Sequence, residues 1–447
     1  MKRWVVVLLV ALAVIVLVSP GIVGRLAEQS LKNSISWAQS ESDDLLVIEE
    51  TFERGWFTAE GRHRIELKKG KLRAAVVGLT GREDAEWIPA LLVDTRIDHG
   101  LVPVTSMSRK SGSLMPGLAS TVSTLQFDPG NGDLIEIPGA LYSQVRLSGE
   151  TVSQYLLEAG SFDDQEAKVE WDGADVSLTT DPSTRSIGYD GAIEPFSVDS
   201  GDDSFRLGAT EFKGNANRTD FGLAVGSISL EMDSLSVGRP LAVDAATTTG
   251  FGKLTLDADS ALDGDRVNGK STMTIADVVV PGFGEIDMAI DVVLNGLDAR
   301  SMQAIIGTLR DAQGADDPDA ALAAVYPRIE NDVQTFLSSG AEVRFDRLDV
   351  SLPHGEVTTK LSFKLPETAA SGEFSWPALI LALTASADIR VPVALMELAQ
   401  SVNPQSGALI AMGILKKDGD FYVASAAYQK GLLTVNGAPM PIPLPVR

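Results

Sequence analysis

Residues 4–24 constrain this chain more than any other stretch, because they form an apolar run without a charged side chain. A helix needs about 20 such residues to cross the core of a bilayer, and a single helix in lipid satisfies its own backbone hydrogen bonds. Lys2 and Arg3 precede the run and favour a cytoplasmic N-terminus. The sequence therefore predicts a cytoplasmic tip at residues 1–3 and a transmembrane anchor at residues 4–24, which makes the lipid bilayer a partner.

A cleaved signal peptide is the alternative interpretation, since it also has a basic start and an apolar segment. Signal peptides end in small residues with an Ala-x-Ala-like pattern. The exit from the run, residues 19–25, reads SPGIVGR and lacks this pattern. An uncleaved anchor is therefore favoured, and the rest of the chain is expected on the periplasmic side.

The composition is strongly acidic, with 61 Asp and Glu against 37 Lys and Arg and a formal net charge of −24. Such a surface repels phosphate backbones, so we expect no nucleic-acid partner. The chain has no cysteine, which excludes disulfides, thiolate metal sites and cysteine nucleophiles. A chain of 447 residues can bury one large core or several ordinary ones, so the β region can be one domain or two.

Apolar and polar residues alternate over much of the chain from residue 45 onwards, which predicts β-strands. The clearest case is residues 285–295, where five apolar side chains would share one face in a core and Asp287 and Asp291 would face water. Residues 356–365 alternate in the same way. The predicted fold is α+β, mainly β, with an extended antiparallel sheet in a periplasmic domain over residues 45–440.

Two local features refine the predicted sheet. The alternation changes phase between Phe345 and Leu348, which predicts a bulge or twist. Residues 421–435 predict a closing hairpin around residues 429–431, where Gln-Lys-Gly forms the turn.

A few segments have helical rather than strand spacing. Residues 319–337 carry apolar side chains at steps of three and four, which predicts an amphipathic helix that covers part of the sheet. Residues 299–309 can pair with it as a helical hairpin, and residues 393–402 are a further helical candidate. Residues 25–44 are expected to form a membrane-proximal helix and linker, and residues 441–447 a proline-rich tail.

Motifs that carry chemistry are missing from the sequence. The three histidines, His63, His99 and His354, are far apart and do not match a metal-binding spacing. The acidic residues between 257 and 265 lack the glycine and the closing glutamate of a calcium loop, so solvated turn acids are expected there. We predict no catalytic, metal or cofactor site, and expect no enzyme activity.

The most distinctive segment is residues 51–59, in which Trp56 and Phe57 follow Arg54 and Gly55. These four residues are a candidate structural or interaction motif. Arg54 could stack on Trp56, and Gly55 could permit a tight bend. We favour the interpretation that the aromatic side chains close one end of the core over a binding role, because apolar aromatic residues are usually buried.

An N-terminal anchor followed by this segment resembles the YdgA-like family of bacterial envelope proteins of unknown function. The family's Ile-x-His-Gly element resembles residues 97–100, which include His99 and Gly100, although Leu101 replaces an expected proline. The C-terminal signature resembles residues 413–422 and 431–437. This resemblance implies a single-pass protein of the inner membrane of Gram-negative bacteria, and it implies no reaction.

Three functional hypotheses remain open. The first is a non-enzymatic envelope scaffold that holds a lipid if one sheet face is left partly uncovered. The second is an interaction module that assembles with itself or with another envelope protein. The third is a hydrolase with an unrecognised carboxylate site, which would need two close carboxyl groups and a raised pKa on one of them.

Overall fold

Antiparallel β-strands make up most of the described chain, which confirms the mainly β prediction. They form where β-branched and other apolar residues alternate with polar ones. The computed structural model describes residues 45–67, 90–99, 117–128, 134–163, 168–200, 203–238, 249–280, 284–313, 324–365, 376–402 and 405–440.

The strands follow one another with short connections in many places. The first eight are β1 (Leu45–Arg54), β2 (Thr58–Leu67), β3 (Ala90–His99), β4 (Gly117–Asp128), β5 (Ile135–Arg146), β6 (Thr151–Asp163), β7 (Lys168–Asp181) and β8 (Ser186–Ile193). The next nine are β9 (Phe196–Ser200), β10 (Asp203–Leu207), β11 (Thr210–Arg218), β12 (Ala224–Met232), β13 (Leu235–Gly238), β14 (Thr249–Phe251), β15 (Lys253–Asp263), β16 (Arg266–Val280) and β17 (Gly284–Asp298). The last seven are β18 (Glu342–Leu352), β19 (Gly355–Lys364), β20 (Thr384–Pro392), β21 (Lys416–Asp418), β22 (Phe421–Gln429), β23 (Leu432–Val435) and β24 (Ala438–Met440).

Five helices lie in the described ranges: α1 (Ala299–Gln313), α2 (Val325–Leu337), α3 (Trp376–Ala382), α4 (Val393–Val402) and α5 (Ser406–Ala411). Helix α1 begins at Ala299 because the Asp298 carboxylate accepts a hydrogen bond of 2.8 Å from the Ser301 backbone N–H, as N-cap residues do. Helix α4 has the bounds expected from the sequence.

The predicted helix at residues 299–309 is confirmed as part of α1, whereas the other helical predictions fall partly or wholly outside the described residues. Residues 319–323, where the second predicted helix was to begin, lie outside the described residues, as do residues 4–24, 25–44 and 441–447. No helix within the described ranges is long and apolar enough to cross a membrane.

The chain divides into two compact units. The first unit comprises residues 1–159, 172–193 and 309–325, and the second comprises residues 160–171, 194–308 and 326–447. The sequence left open whether the β region is one domain or two.

The first unit contains a meander of β1 to β6, in which each of the first five strands pairs with the next one. Directly opposed residues share a face of such a sheet. Ala59 therefore lies beside Ile97, and His99 lies beside Ala119. Ala59, Ile97 and Ala119 form a small buried cluster, and Phe52 packs against it.

The second unit contains a longer antiparallel series. Its order is β11, β12, β15, β16, β17, β18, β19, β20, β22, β23 and β24. Strands β13 and β14 interrupt the chain order between β12 and β15, and β13 pairs with β10.

The larger buried cluster of the second unit lies where strands end, and its members are Leu223, Val267, Leu297, Ala299 and Ala341. Met302 of α1 and Phe336 of α2 pack against this cluster. The two helices that connect β17 to β18 therefore cover the end of the strands.

The strand pairing contains both of the local features that the sequence predicts. The pairing of β18 with β19 shifts between Phe345 and Val350, which confirms the predicted bulge. β22 and β23 form the predicted hairpin, with Lys430 in its turn at a φ of 54°.

Gly61 offers a test of the packing in the first unit. A Cβ atom at Gly61 would lie 3.1 Å from the Phe52 ring and 3.3 Å from His63 Cε1. We therefore expect Gly61→Ala to lower the free energy of unfolding by about 1–3 kcal/mol. Gly188→Ala in β8 is the matched control, because its nearest neighbour would be Thr179 Cβ at 3.9 Å. This control is expected to keep or raise stability by up to about 1 kcal/mol. Thermal unfolding followed by circular dichroism measures both, and equal effects would contradict the proposed crowding.

Candidate functional site

The distinctive aromatic segment forms the turn between β1 and β2. The Gly55 N–H donates a 2.7 Å hydrogen bond to the Thr58 carbonyl, and the His99 N–H donates one of 2.9 Å to the Phe57 carbonyl. Arg54 lies opposite Ala59 across the hairpin. The structure thus brings Phe57 and His99 together, although they are far apart in sequence. Gly100 lies outside the described residues.

The aromatic side chains of this turn do not close the core, so that interpretation is wrong. Trp56 is 58% exposed and Phe57 is 51% exposed. The aromatic residue that does pack on the buried cluster is Phe52, which lies opposite Gly61. More than half of the Trp56 side chain and of the Phe57 side chain is therefore exposed at the tip of the turn.

The three histidines lie on separate elements of the fold. His63 and His99 are buried on β2 and β3, opposite Val93 and Ala119. His354 lies exposed in the turn after β18. Within the described ranges, no group of three His, Cys, Asp or Glu side chains could hold a metal ion.

The acidic residues between 257 and 265 are exposed, as predicted, but only some lie in a turn. Asp257 and Asp259 project from β15, whereas Gly264 and Asp265 form its turn with β16. The sequence pattern predicted a turn at Asp257 and Asp259, because the small residue Ala258 between them gives little sign of a strand.

Several described carboxylates pair with arginine. Arg62 makes two 2.6 Å hydrogen bonds to Asp94, and Arg64 lies 2.7 Å from both Glu66 and Asp128. Hydrogen bonds to Glu66 and Asp128 raise the pKa of Arg64 above its ordinary value.

The pKa of Asp346 shows the same preference for the charged form. Hydrogen bonds from Arg344 hold the pKa of this exposed carboxyl below its ordinary value. A general acid at neutral pH needs a raised pKa. Asp346 is therefore unsuited to the role of general acid.

An extended row of apolar side chains crosses six strands of the second unit. Direct register pairs connect its members in one line: Phe212, Leu230, Leu256, Met273, Ile290 and Leu348. Neighbouring strands lie about 4.8 Å apart, so the row spans about 24 Å. All six side chains are only half-buried.

A second row on the same face extends this surface: Met232, Leu254, Ile275, Met288, Val350 and Val357. These side chains are half-buried too. We call the two rows together the apolar face. A face of this extent that is not fully covered is a typical binding surface for an apolar ligand.

The opposite side of the same strands is polar. Asp257, Thr272, Asp291 and Arg347 are aligned by register, one residue along from the apolar row. Lys253 pairs with Glu231 at the margin of this side. The sheet of the second unit is thus amphipathic, and its charge is concentrated away from the apolar face.

The prediction for residues 285–295 is correct about which side chains share a face and wrong about how deeply they are buried. Ile286, Met288 and Ile290 do share one side, but none of them is fully buried, whereas Ala289 on the other side is. The core lies instead at the strand ends, because the connecting helices pack there. The row itself was missed, because alternation in one strand does not reveal which residues of the next strand lie opposite.

The C-terminal signature has a structural role. At the end of α5, the Ile414 N–H donates to the Leu409 carbonyl and the Gly413 N–H to the Ile410 carbonyl. Gly413 has a φ of 72°. These two bonds and a left-handed glycine form a Schellman motif.

Asn436, in the turn after β23, then fixes this segment. Its side-chain amide donates to the carbonyls of Gly413 (3.0 Å) and Ile414 (2.9 Å), and its side-chain oxygen accepts a 3.0 Å hydrogen bond from the Ser425 N–H. The two separated parts of the signature are therefore neighbours in space.

The chain is similar to known bacterial proteins over most of its length. The family described as bacterial protein of unknown function (DUF945) matches residues 1–443. Protein YdgA of Escherichia coli (strain K12) is 25% identical over 374 residues, which cover 75% of this chain and 66% of that protein. The chain thus spans just under two thirds of this relative. No solved structure matches significantly.

Phe52 and Trp56 allow a direct test of which aromatic residue stabilises the first unit. Phe52→Ala is expected to lower the free energy of unfolding by about 2–3 kcal/mol, since it leaves a cavity beside the buried cluster. Trp56→Ala should change it by less than about 0.5 kcal/mol, because the side chain is mainly exposed. Thermal or urea unfolding compares the two variants. A larger loss for Trp56→Ala would contradict the assignment.

Asn436→Asp tests the link between the two parts of the signature. An ionised carboxylate cannot donate hydrogen bonds to the Gly413 and Ile414 carbonyls, so we expect a loss of about 1–3 kcal/mol in unfolding free energy. Asn217→Asp, at an exposed position of β11 in the same unit, is the control and should leave the unfolding free energy nearly unchanged. Urea unfolding gives both values. Indistinguishable midpoints would show that the bonds from Asn436 contribute little.

Proposed function

Since the chain belongs to the DUF945 family of bacterial proteins of unknown function, we propose from its own geometry that it is a membrane-anchored envelope protein that binds lipid. The acyl chain of the lipid lies on the apolar face of the second unit. This role needs no catalytic group.

The observation that carries this proposal is the half-buried row of six apolar side chains from Phe212 to Leu348. An acyl chain that covers the row removes apolar surface on both partners from water. This burial is worth about 0.8 kcal/mol for each methylene group, before the cost of ordering the chain is subtracted. The face offers no charge to a ligand, which suits a hydrocarbon chain and does not suit a polar substrate.

The sequence supports a membrane location for this activity. The apolar run at residues 4–24 is long enough to span a bilayer. The basic residues before it favour a cytoplasmic N-terminus, with the remaining chain outside the cytoplasm. A protein held at a bilayer is always close to a source of acyl chains. The envelope location and the lipid ligand therefore fit one another.

An interaction module for another protein is the second candidate function. It is favoured by the exposure of Trp56 and Phe57 on a turn that two backbone hydrogen bonds hold in place. Tryptophan is enriched among the residues that dominate protein interfaces. The partner would be another envelope protein or a second copy of this chain.

A photoreactive amino acid at Leu256 tests the lipid proposal in intact cells. Leu256 lies in the centre of the apolar row, and Asp257 is the matched control because it is the next residue and faces the opposite side. After irradiation, we expect mass spectrometry of the full-length protein to find a lipid adduct at position 256 at least about tenfold above position 257, because apolar contact is confined to one face.

The same experiment defines the contrary outcomes. Equal adducts at positions 256 and 257, or none at either, would reject lipid binding on this face. A protein adduct from the same probe at Trp56, without a lipid adduct at 256, would make the interaction module the better function. Circular dichroism of each variant confirms that the probe leaves the sheet folded.

A further inference from the structure

A second apolar surface lies on α4 and α5, away from the row of side chains just described. Leu398 on α4, Leu409 on α5 and Met412 directly after α5 are 46%, 39% and 61% exposed. Met396 of α4 and Leu415, three residues after Met412, are buried, whereas α5 itself has no buried residue. The segment is thus held to the second unit at these two positions and exposes apolar side chains between them.

The exposed residues are held in a defined arrangement. The Ser406 hydroxyl donates a 3.1 Å hydrogen bond to the Ala399 carbonyl, which joins the start of α5 to the last turn of α4. The Schellman motif ends α5, and the side chain of Asn436 binds the two carbonyls that follow it. A surface that is both apolar and fixed needs no ordering of its backbone when it binds.

The charge around this surface differs from that of the chain as a whole. Residues 391–415 contain one charged side chain, Glu397, in a protein with a net charge of −24. Lys416 and Lys417 follow at once and are exposed, and the exposed acids Asp418 and Asp420 come after them. An apolar helical surface that ends in lysines is complementary to a layer of acyl chains beneath anionic headgroups.

We propose that α4 and α5 dock on the surface of an anionic phospholipid bilayer. Leu398, Leu409 and Met412 enter the boundary between headgroups and acyl chains, and Lys416 and Lys417 lie at the phosphate groups. A bilayer is favoured over a protein partner, because lysine is depleted in protein interfaces and this surface has no exposed aromatic or arginine anchor among its described residues. The predicted anchor at residues 4–24 also keeps a bilayer within reach of the folded chain.

The natural lack of cysteine makes a labelling experiment direct. The variant Leu409→Cys in the full-length chain receives an NBD fluorophore and is reconstituted into vesicles of phosphatidylcholine and phosphatidylglycerol. Ser386→Cys, at an exposed position of β20, is the labelled control. Vesicles that carry a doxyl quencher on the acyl chain report whether the fluorophore enters the membrane.

We expect the quencher to lower NBD emission about twofold more at position 409 than at position 386, because only the first position would contact acyl chains. The additional change of Lys416→Glu and Lys417→Glu should reduce this difference on anionic vesicles and leave it unchanged on vesicles of phosphatidylcholine alone. Equal quenching at the two positions overturns the proposal. NBD emission at position 409 that is already shifted to the blue in detergent, without lipid quenching, indicates burial against a protein and overturns it too.

This inference does not rest on lipid binding by the apolar face. A lipid adduct at Leu256 without quenching at position 409 would leave the proposed function intact and remove only the docking surface. Quenching at position 409 without a lipid adduct at Leu256 would keep the docking surface and remove lipid binding by the apolar face.

Discussion

Backbone pairing between antiparallel strands is the interaction on which the rest of this structure depends. Each ladder places directly opposed residues on the same side of the sheet. Strands that alternate between apolar and polar residues therefore combine into surfaces of one character. In the second unit this produces an apolar row from Phe212 to Leu348 on one side and a charged row from Asp257 to Arg347 on the other.

The helices determine where this amphipathic sheet acquires a core. Helices α1 and α2 connect β17 to β18, and their packed residues Met302 and Phe336 reach the cluster around Leu297 and Ala299. Burial is therefore concentrated at the strand ends. The middle of the sheet keeps half-buried Leu, Met and Ile side chains, and it is this unequal distribution of burial that suggests a ligand of hydrocarbon character.

The segments that resemble family signatures prove to be structural joints. Phe57 and His99 meet through a backbone hydrogen bond, and Asn436 binds the carbonyls after Gly413. Both joints hold neighbouring exposed apolar side chains in place: Trp56 and Phe57 at the first, Leu409 and Met412 at the second. A motif can thus be distinctive because it positions a surface, without taking part in a reaction.

Local pattern was enough to predict the mainly β fold, the bulge near Phe345, the hairpin at Lys430 and the helix Val393–Val402, because each depends on neighbours in sequence. The apolar run at residues 4–24 and the acidic composition likewise follow from the sequence alone. The partial burial of the Ile290 face, the exposure of Trp56 and the packing of Phe52 on Gly61 were decided only by tertiary structure. The physical reason is that burial depends on which strand or helix lies opposite, and periodicity within one segment carries no information about its partner.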